Sequence, residues 1–328
     1  MKIDKNALFQ KAFLFVVTIL FVLNLPPLIL AQEQKTYALD SNLSKTENVE
    51  PIVVNTNLIT FNVSVSNIDG AAVTGLNKTD FNIFDNKILQ EIIFFSDIDA
   101  PASISVVLDT SASMNGDKII QAKQALANFI QTSKPEDEFF LIDFGSRPNL
   151  LLNGTRDSDL MLKKFTYIQP KGNTALYDAI NLGLERVRRG SHSKKIILLI
   201  SDGEDNNSRF SYRDLKKQLK ESDAIIYTIG IGNSYKLIGK GLNGKDILKE
   251  LSAVSNGKSF FPKTSNDMCE VFEQISLEIR HLYSIGYYPS EQSSNGKKHQ
   301  VTVKVNATDE TPRLFVRSHK AYITGANP

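Results

Sequence analysis

Between Ser103 and Leu282 short β-branched runs alternate with amphipathic helical stripes, and this rhythm constrains the fold more than any other feature of the chain. Strand-like runs fall at 104–108, 139–144, 195–200, 224–230 and 259–261, with little polar alternation, as expected of strands covered on both faces. Helical spacing falls between them. Residues 118–132 place Ile119, Ala122, Leu126 and Phe129 on one stripe, and 175–188 do the same with Leu176, Ala179, Ile180, Leu184 and Val187. Shorter or less regular helices are expected at 160–167, 247–254 and 266–282. Another opens at Ser211, whose hydroxyl, with Asp214 three residues on, nearly matches a capping box. Strand–helix alternation of this kind predicts a doubly wound, Rossmann-like α/β fold: a mostly parallel sheet flanked by helices.

Ligands of such a sheet bind beyond the carboxyl ends of its strands. Three polar groups fall there. Asp109-Thr110-Ser111-Ala112-Ser113 follows the first strand, Ser201-Asp202-Gly203 follows the run at 195–200, and Gly172-Asn173-Thr174 precedes a helix in a loop free to fold over the same edge. Asp109, Ser111, Ser113, Thr174 and Asp202 together offer two carboxylates and three hydroxyls. These are hard oxygen ligands, suited to Mg²⁺, Mn²⁺ or Ca²⁺ and poor for zinc or copper. With only two carboxylates, the ion keeps electrophilic character and can accept one more anionic oxygen from outside. Each group also has an ordinary reading: Ser111 or Ser113 could cap the following helix, Thr174 could cap 175–188, and Asp202-Gly203 could be a turn. Asp205 reads as a solvated loop residue.

The set Asp109-x-Ser111-x-Ser113, Thr174 and Asp202-Gly203 resembles the metal-ion-dependent adhesion site of von Willebrand factor A-type domains. SVVLDTSASM, GNTALYDAI and LLISDGEDN are similar to that family at the matching strand ends, over roughly residues 101–285. The resemblance implies that Ser111, Ser113 and Thr174 bind one divalent cation directly or through water, and that Asp109 and Asp202 bind it or orient its waters. It also implies the fold of that family and a protein ligand that supplies a carboxylate. Mg²⁺ is the expected ion, with Mn²⁺ or Ca²⁺ compatible. VSVSNIDGAAVTGLNKTDFNIFDN before the core and YSIGYYP after it resemble exported bacterial proteins of the same type.

The flanks differ in texture. Lys2, Lys5 and Lys11 precede an apolar run from Ala12 to Leu23, then Pro26-Pro27 and Leu28-Ile29-Leu30-Ala31. This is the pattern of a secretory signal peptide over 1–31, cleaved after Ala31. An uncleaved membrane anchor is the alternative, which Asn24 and the two prolines oppose. Residues 32–50 read as a disordered leader. Residues 51–98 read as a small antiparallel β module, with strands at 58–66, 81–84 and 90–95 and a turn signal at Asp69-Gly70. After the α/β segment at 101–285 comes a C-terminal β extension, 286–328. There 299–305 alternates cleanly, and 313–316 and 321–323 are candidate partners for it.

Several functions are disfavoured. Net charge is +2, with acidic and basic residues interspersed, so no nucleic-acid partner is expected. The single cysteine, Cys269, allows no internal disulfide. Residues 239–245 have the spacing of a phosphate-binding loop, but Asp246 stands where Ser or Thr must reach Mg²⁺. The stretch 236–246 therefore reads as a surface insertion, with Asp246 capping the next helix. A phosphoaspartate phosphatase would need an acid where Ser111 stands, and a serine hydrolase would need a base that His192, His281, His299 and His319 do not supply. The expectation is an exported, non-enzymatic binding or adhesion-type protein. A scaffold or envelope-assembly subunit with a purely structural ion is the first alternative, and a metal-dependent hydrolase the second.

Overall fold

The computed structural model describes residues 58–69, 71–96, 99–232, 243–290, 297–306, 313–318 and 321–323. The chain divides into units Met1–Val54 and Asn55–Pro328, and every described residue lies in the second. The expected signal peptide and leader lie outside the described residues, as do residues 236–242 of the insertion. No helix among the described residues is long and apolar enough to cross a membrane.

The α/β part is built on β5 (Ala102–Asp109), β6 (Glu138–Phe144), β7 (Pro148–Thr155), β8 (Lys194–Ser201), β9 (Ile225–Gly230) and β10 (Ser259–Phe260). These strands form one sheet in the order β10-β9-β8-β5-β6-β7. All neighbours are parallel except β6 and β7. The helices are α1 (Asp117–Thr132), α2 (Ser158–Thr166), α3 (Leu176–Arg188), α4 (Tyr212–Lys220), α5 (Gly244–Val254) and α6 (Ser265–Arg280). The expected α/β architecture is therefore present. Ile104, Val106 and Leu108 of β5 pack with Leu126 and Phe129 of α1 and with Phe272 and Ile275 of α6. On the other face Val107, Ile197 and Leu199 pack with Ile180 and Leu184 of α3 and with residues of α4 and α5. Each such fully buried Ile or Leu contributes about 1.5–3 kcal/mol.

Two departures have local causes. The antiparallel edge strand β7 is not evident in the sequence, because Pro148, Asn149, Asn153 and Gly154 give its text a turn-like composition and its residues are half-buried or exposed. Ser103 and Ser105 interrupt the apolar pattern of β5 on the face turned to α3. There the helix comes so close that a Cβ on Gly183 would lie 2.9 Å from Val107 Cγ2 and 3.1 Å from Ser105 Oγ. Small side chains on both surfaces let α3 lie flat on the sheet, which fixes where its N-terminus points.

The β strands outside the central sheet are β1 (Ile59–Ser66), β2 (Phe81–Asp85), β3 (Ile88–Gln90), β4 (Ile92–Ser96), β11 (Tyr283–Tyr287), β12 (Lys298–Val305), β13 (Phe315–Ser318) and β14 (Ala321–Ile323). They form two four-stranded sheets, β13-β1-β11-β4 and β14-β12-β2-β3. Strands before and after the α/β segment thus interleave: β1 pairs β11 through Phe61 and Ile285, and β2 pairs β12 through Ile83 and Val303. Phe61, Val63, Phe81, Ile83, Tyr283, Ile285, Tyr287 and Val301 share one core. A segment as short as 51–98 buries too little apolar surface alone, and the later strands supply the rest. Residues 321–323 do pair with β12, but β13 pairs with β1 instead.

Candidate metal centre

The order of the central sheet reverses between β5 and β8. The chain leaves β5 toward β6 on one side and returns at β8 on the other, opening a crevice at the carboxyl ends of these two strands. Asp109 is the last residue of β5 and Ser201 the last of β8, so Asp109 and Asp202 meet at this point because of the topology.

A continuous set of hydrogen bonds joins the two strand ends. Asp109, fully buried, accepts the Ser111 N–H at 2.8 Å through Oδ1 and the Ser201 hydroxyl at 2.6 Å through Oδ2. The Ser201 hydroxyl also accepts the Gly203 N–H at 3.0 Å. Ser111 and Ser113 share a hydroxyl–hydroxyl bond of 3.0 Å, and Ser113 Oγ donates to Asp202 Oδ2 at 2.6 Å. Four of the five expected ligand residues therefore lie in one connected group. The third loop is docked on the first: Ala112 N–H donates to the Gly172 carbonyl at 3.1 Å and Lys171 N–H to the Thr110 carbonyl at 2.7 Å. Thr174 is 4% exposed, and its hydroxyl has no hydrogen-bond partner among the described residues.

The capping alternatives do not hold. Gly116 occupies the N-cap of α1 with φ 79, and neither Ser111 nor Ser113 caps that helix. Ala175 occupies the N-cap of α3, where it offers no side-chain acceptor. Asp205 is no solvated loop residue: its Oδ1 accepts the Leu176 N–H at 2.8 Å and the Ser208 hydroxyl at 2.5 Å. Burial raises the Asp205 carboxyl above the usual range, and these hydrogen bonds oppose that shift. Asp205 therefore caps α3 from a distant loop, a role sequence spacing does not reveal. A clue was present: an ion that takes up Thr174 leaves α3 without a local cap, and DNNS at 205–208 is a run of capping residues. Asp246, expected to cap α5, sits inside it, and the Asn243 side chain accepts the Asp246 N–H at 2.9 Å instead.

Electrostatics favour a cation. Burial pushes the Asp109 carboxyl up to about 6, the neighbouring Asp202 charge adds to this, and the Ser111 and Ser201 hydrogen bonds counter it. Neither carboxylate belongs to an ion pair among the described residues. A desolvated carboxylate beside a second one, joined through serine hydroxyls, is a donor set that a hard divalent ion fits. No group of three His, Cys, Asp or Glu side chains among the described residues is placed to hold a metal.

Residues 104–204 match the family model for the von Willebrand factor type A domain. Over this span the chain resembles a von Willebrand factor type A domain. Among curated relatives, an uncharacterized protein of Synechocystis is 23% identical over 187 residues, covering 56% of this chain and 42% of the relative. Human inter-alpha-trypsin inhibitor heavy chain H2 is 27% identical over 210 residues, covering 57% of this chain and 21% of the relative. The chain thus spans less than half the length of these relatives. Proximal thread matrix protein 1 of the mussel byssus, solved with zinc in its metal-ion-dependent adhesion site motif, aligns at TM-score 0.48 and 17% identity, over 60% of this chain and 50% of that one.

Proposed function

We propose that this von Willebrand factor type A domain is a non-enzymatic protein-binding module. It holds one divalent cation, Mg²⁺ by preference, through Asp109, Ser111, Ser113, Thr174 and Asp202, and takes an acidic side chain of a partner protein as the ion's remaining ligand. The observation that carries this reading is the hydrogen-bonded group Asp109–Ser201 and Ser111–Ser113–Asp202 at the sheet's switch point. Three of the five ligands are neutral hydroxyls, so the ion is less neutralised than a fully carboxylate site would leave it, and it keeps the electrophilic character that favours an external carboxylate. The non-enzymatic reading is supported by Asp205, which follows Asp202 in the same loop but is occupied with the amides of α3 and is not free to act as a base. We place the protein outside the cytoplasm on the signal-peptide pattern of residues 1–31.

Water relaxation of the Mn²⁺-loaded chain tests the carboxylate step. A glutamate-bearing peptide lowers the relaxivity as its carboxylate displaces a water from the ion, and the same peptide with glutamine does not. Unchanged relaxivity with saturating glutamate peptide contradicts the proposal.

A further inference from the structure

Thr174 is held through its backbone by a single loop, the one that follows β8. Its N–H donates to Asn206 Oδ1 at 2.9 Å, and its carbonyl accepts both the Asn206 and the Asn207 N–H at 3.0 Å. One donor and a carbonyl with two lone pairs are all the backbone of a residue can offer, so consecutive asparagines satisfy the whole of it. The next turn is held by the same loop. Asp205 accepts from Leu176 N–H, while Ser208 Oγ accepts the Tyr177 N–H at 3.0 Å and the Asp178 N–H at 3.1 Å. Asp178 answers by accepting the Arg209 N–H at 3.0 Å and the Phe210 N–H at 2.9 Å.

This arrangement moves a task from one residue to another. A helix start needs side-chain acceptors for its first amides, and the residue just before the helix normally supplies them. Were Thr174 in that role, its hydroxyl would be spent on α3. Asp205 and Ser208 take the role from the loop after β8, and Asn206 fixes the Thr174 peptide, so the hydroxyl is left to the ion. The same loop begins with Asp202. One segment, 202–208, therefore carries one expected ligand and clamps another.

We propose that Asn206, supported by Asp205 and Ser208, is a positioning residue of the ion site, holding Thr174 at the crevice through its backbone. The inference rests on the ion-binding reading above. Asn206 is exposed, so its replacement leaves no cavity. Residues that orient a metal's ligands cost on the order of 10- to 100-fold in affinity when removed.

The test is calorimetric titration of Mg²⁺ into the full chain, its Asn206→Ala variant and its Asn206→Asp variant. Asn206→Asp keeps an acceptor for the Thr174 N–H, whereas Asn206→Ala removes it. The expected result is affinity at least about 10-fold weaker for Asn206→Ala, wild-type affinity or better for Asn206→Asp, and similar unfolding temperatures for all three in chelator. Equal affinity for Asn206→Ala and wild type overturns the clamp while leaving the ion site standing, and so does an equal loss in both variants. Absence of Mg²⁺ binding by the wild type overturns the ion reading and the clamp with it.

Discussion

Lys194 opens β8 with its side chain fully buried, and its ammonium donates to the Ile279 carbonyl at 3.1 Å and the Arg280 carbonyl at 3.2 Å. A cation at the carboxyl end of α6 is well placed for the helix dipole. Burial nonetheless dominates: it lowers the Lys194 pKa from 10.5 to about 8, with the Arg280 charge adding to the effect. The folded state therefore holds this proton less tightly than the unfolded chain does. Below pH 8 both states are protonated and the full cost of burying the charge is present. Between about 8 and 10.5 the folded state releases the proton first, so stability rises with pH. At about 1.36 kcal/mol per pH unit, the total is about 3 kcal/mol. Lys194→Met keeps the aliphatic stem and removes the titration. Urea denaturation of both proteins at pH 7, 8, 9 and 10 isolates the residue, because other titrations cancel in the difference. The stability of the wild type relative to Lys194→Met should rise by about 1 kcal/mol per pH unit between 8 and 10. The loss of two carbonyl hydrogen bonds adds only a constant offset. A difference that stays flat from pH 7 to 10 refutes the reasoning.

Other substitutions probe the frame around the site. Gly203→Ala puts a Cβ 2.2 Å from the Gly244 carbonyl at φ +82; we expect about 1–3 kcal/mol of destabilisation by urea denaturation, with weaker Mg²⁺ binding because Asp202 is displaced. Arg280→Met leaves the buried Asp137 carboxylate without its ion-pair partner. A loss of about 3–5 kcal/mol is expected, lessened where the Ala102 and Lys134 amides still donate to Asp137. Phe129→Ala empties the contact of α1 with Phe139 and Phe272 and should cost about 3–5 kcal/mol in the same assay.

What the sequence made legible follows from how local each signal is. β5 and β8 are runs of buried apolar residues ending in Asp109 and just before Asp202, so strand and ligand could be read together. Ser111 and Ser113 follow within four residues of Asp109, and Thr174 sits at a loop–helix junction, which placed it at the same edge. The trans cap by Asp205 was not legible, since it joins residues 29 apart across two loops. The same holds for the interleaved β sheets, where Asn62 bonds Ser284 over a separation of 222 residues. Alternation in β1 and β12 predicts strands with one buried face but says nothing about which strand lies beside which. His299 is a further case. It is buried against Asp85 and stacked on Tyr322, partners that only the pairing of β2, β12 and β14 brings together.

The measurement that bears most directly on the central claim is calorimetric titration of Mg²⁺, Mn²⁺ and Ca²⁺ into the chain and into Asp109→Ala, with circular dichroism confirming that both are folded. The account predicts one divalent ion bound by the wild type and none by the variant. Binding by neither, or equal binding by both, would contradict it.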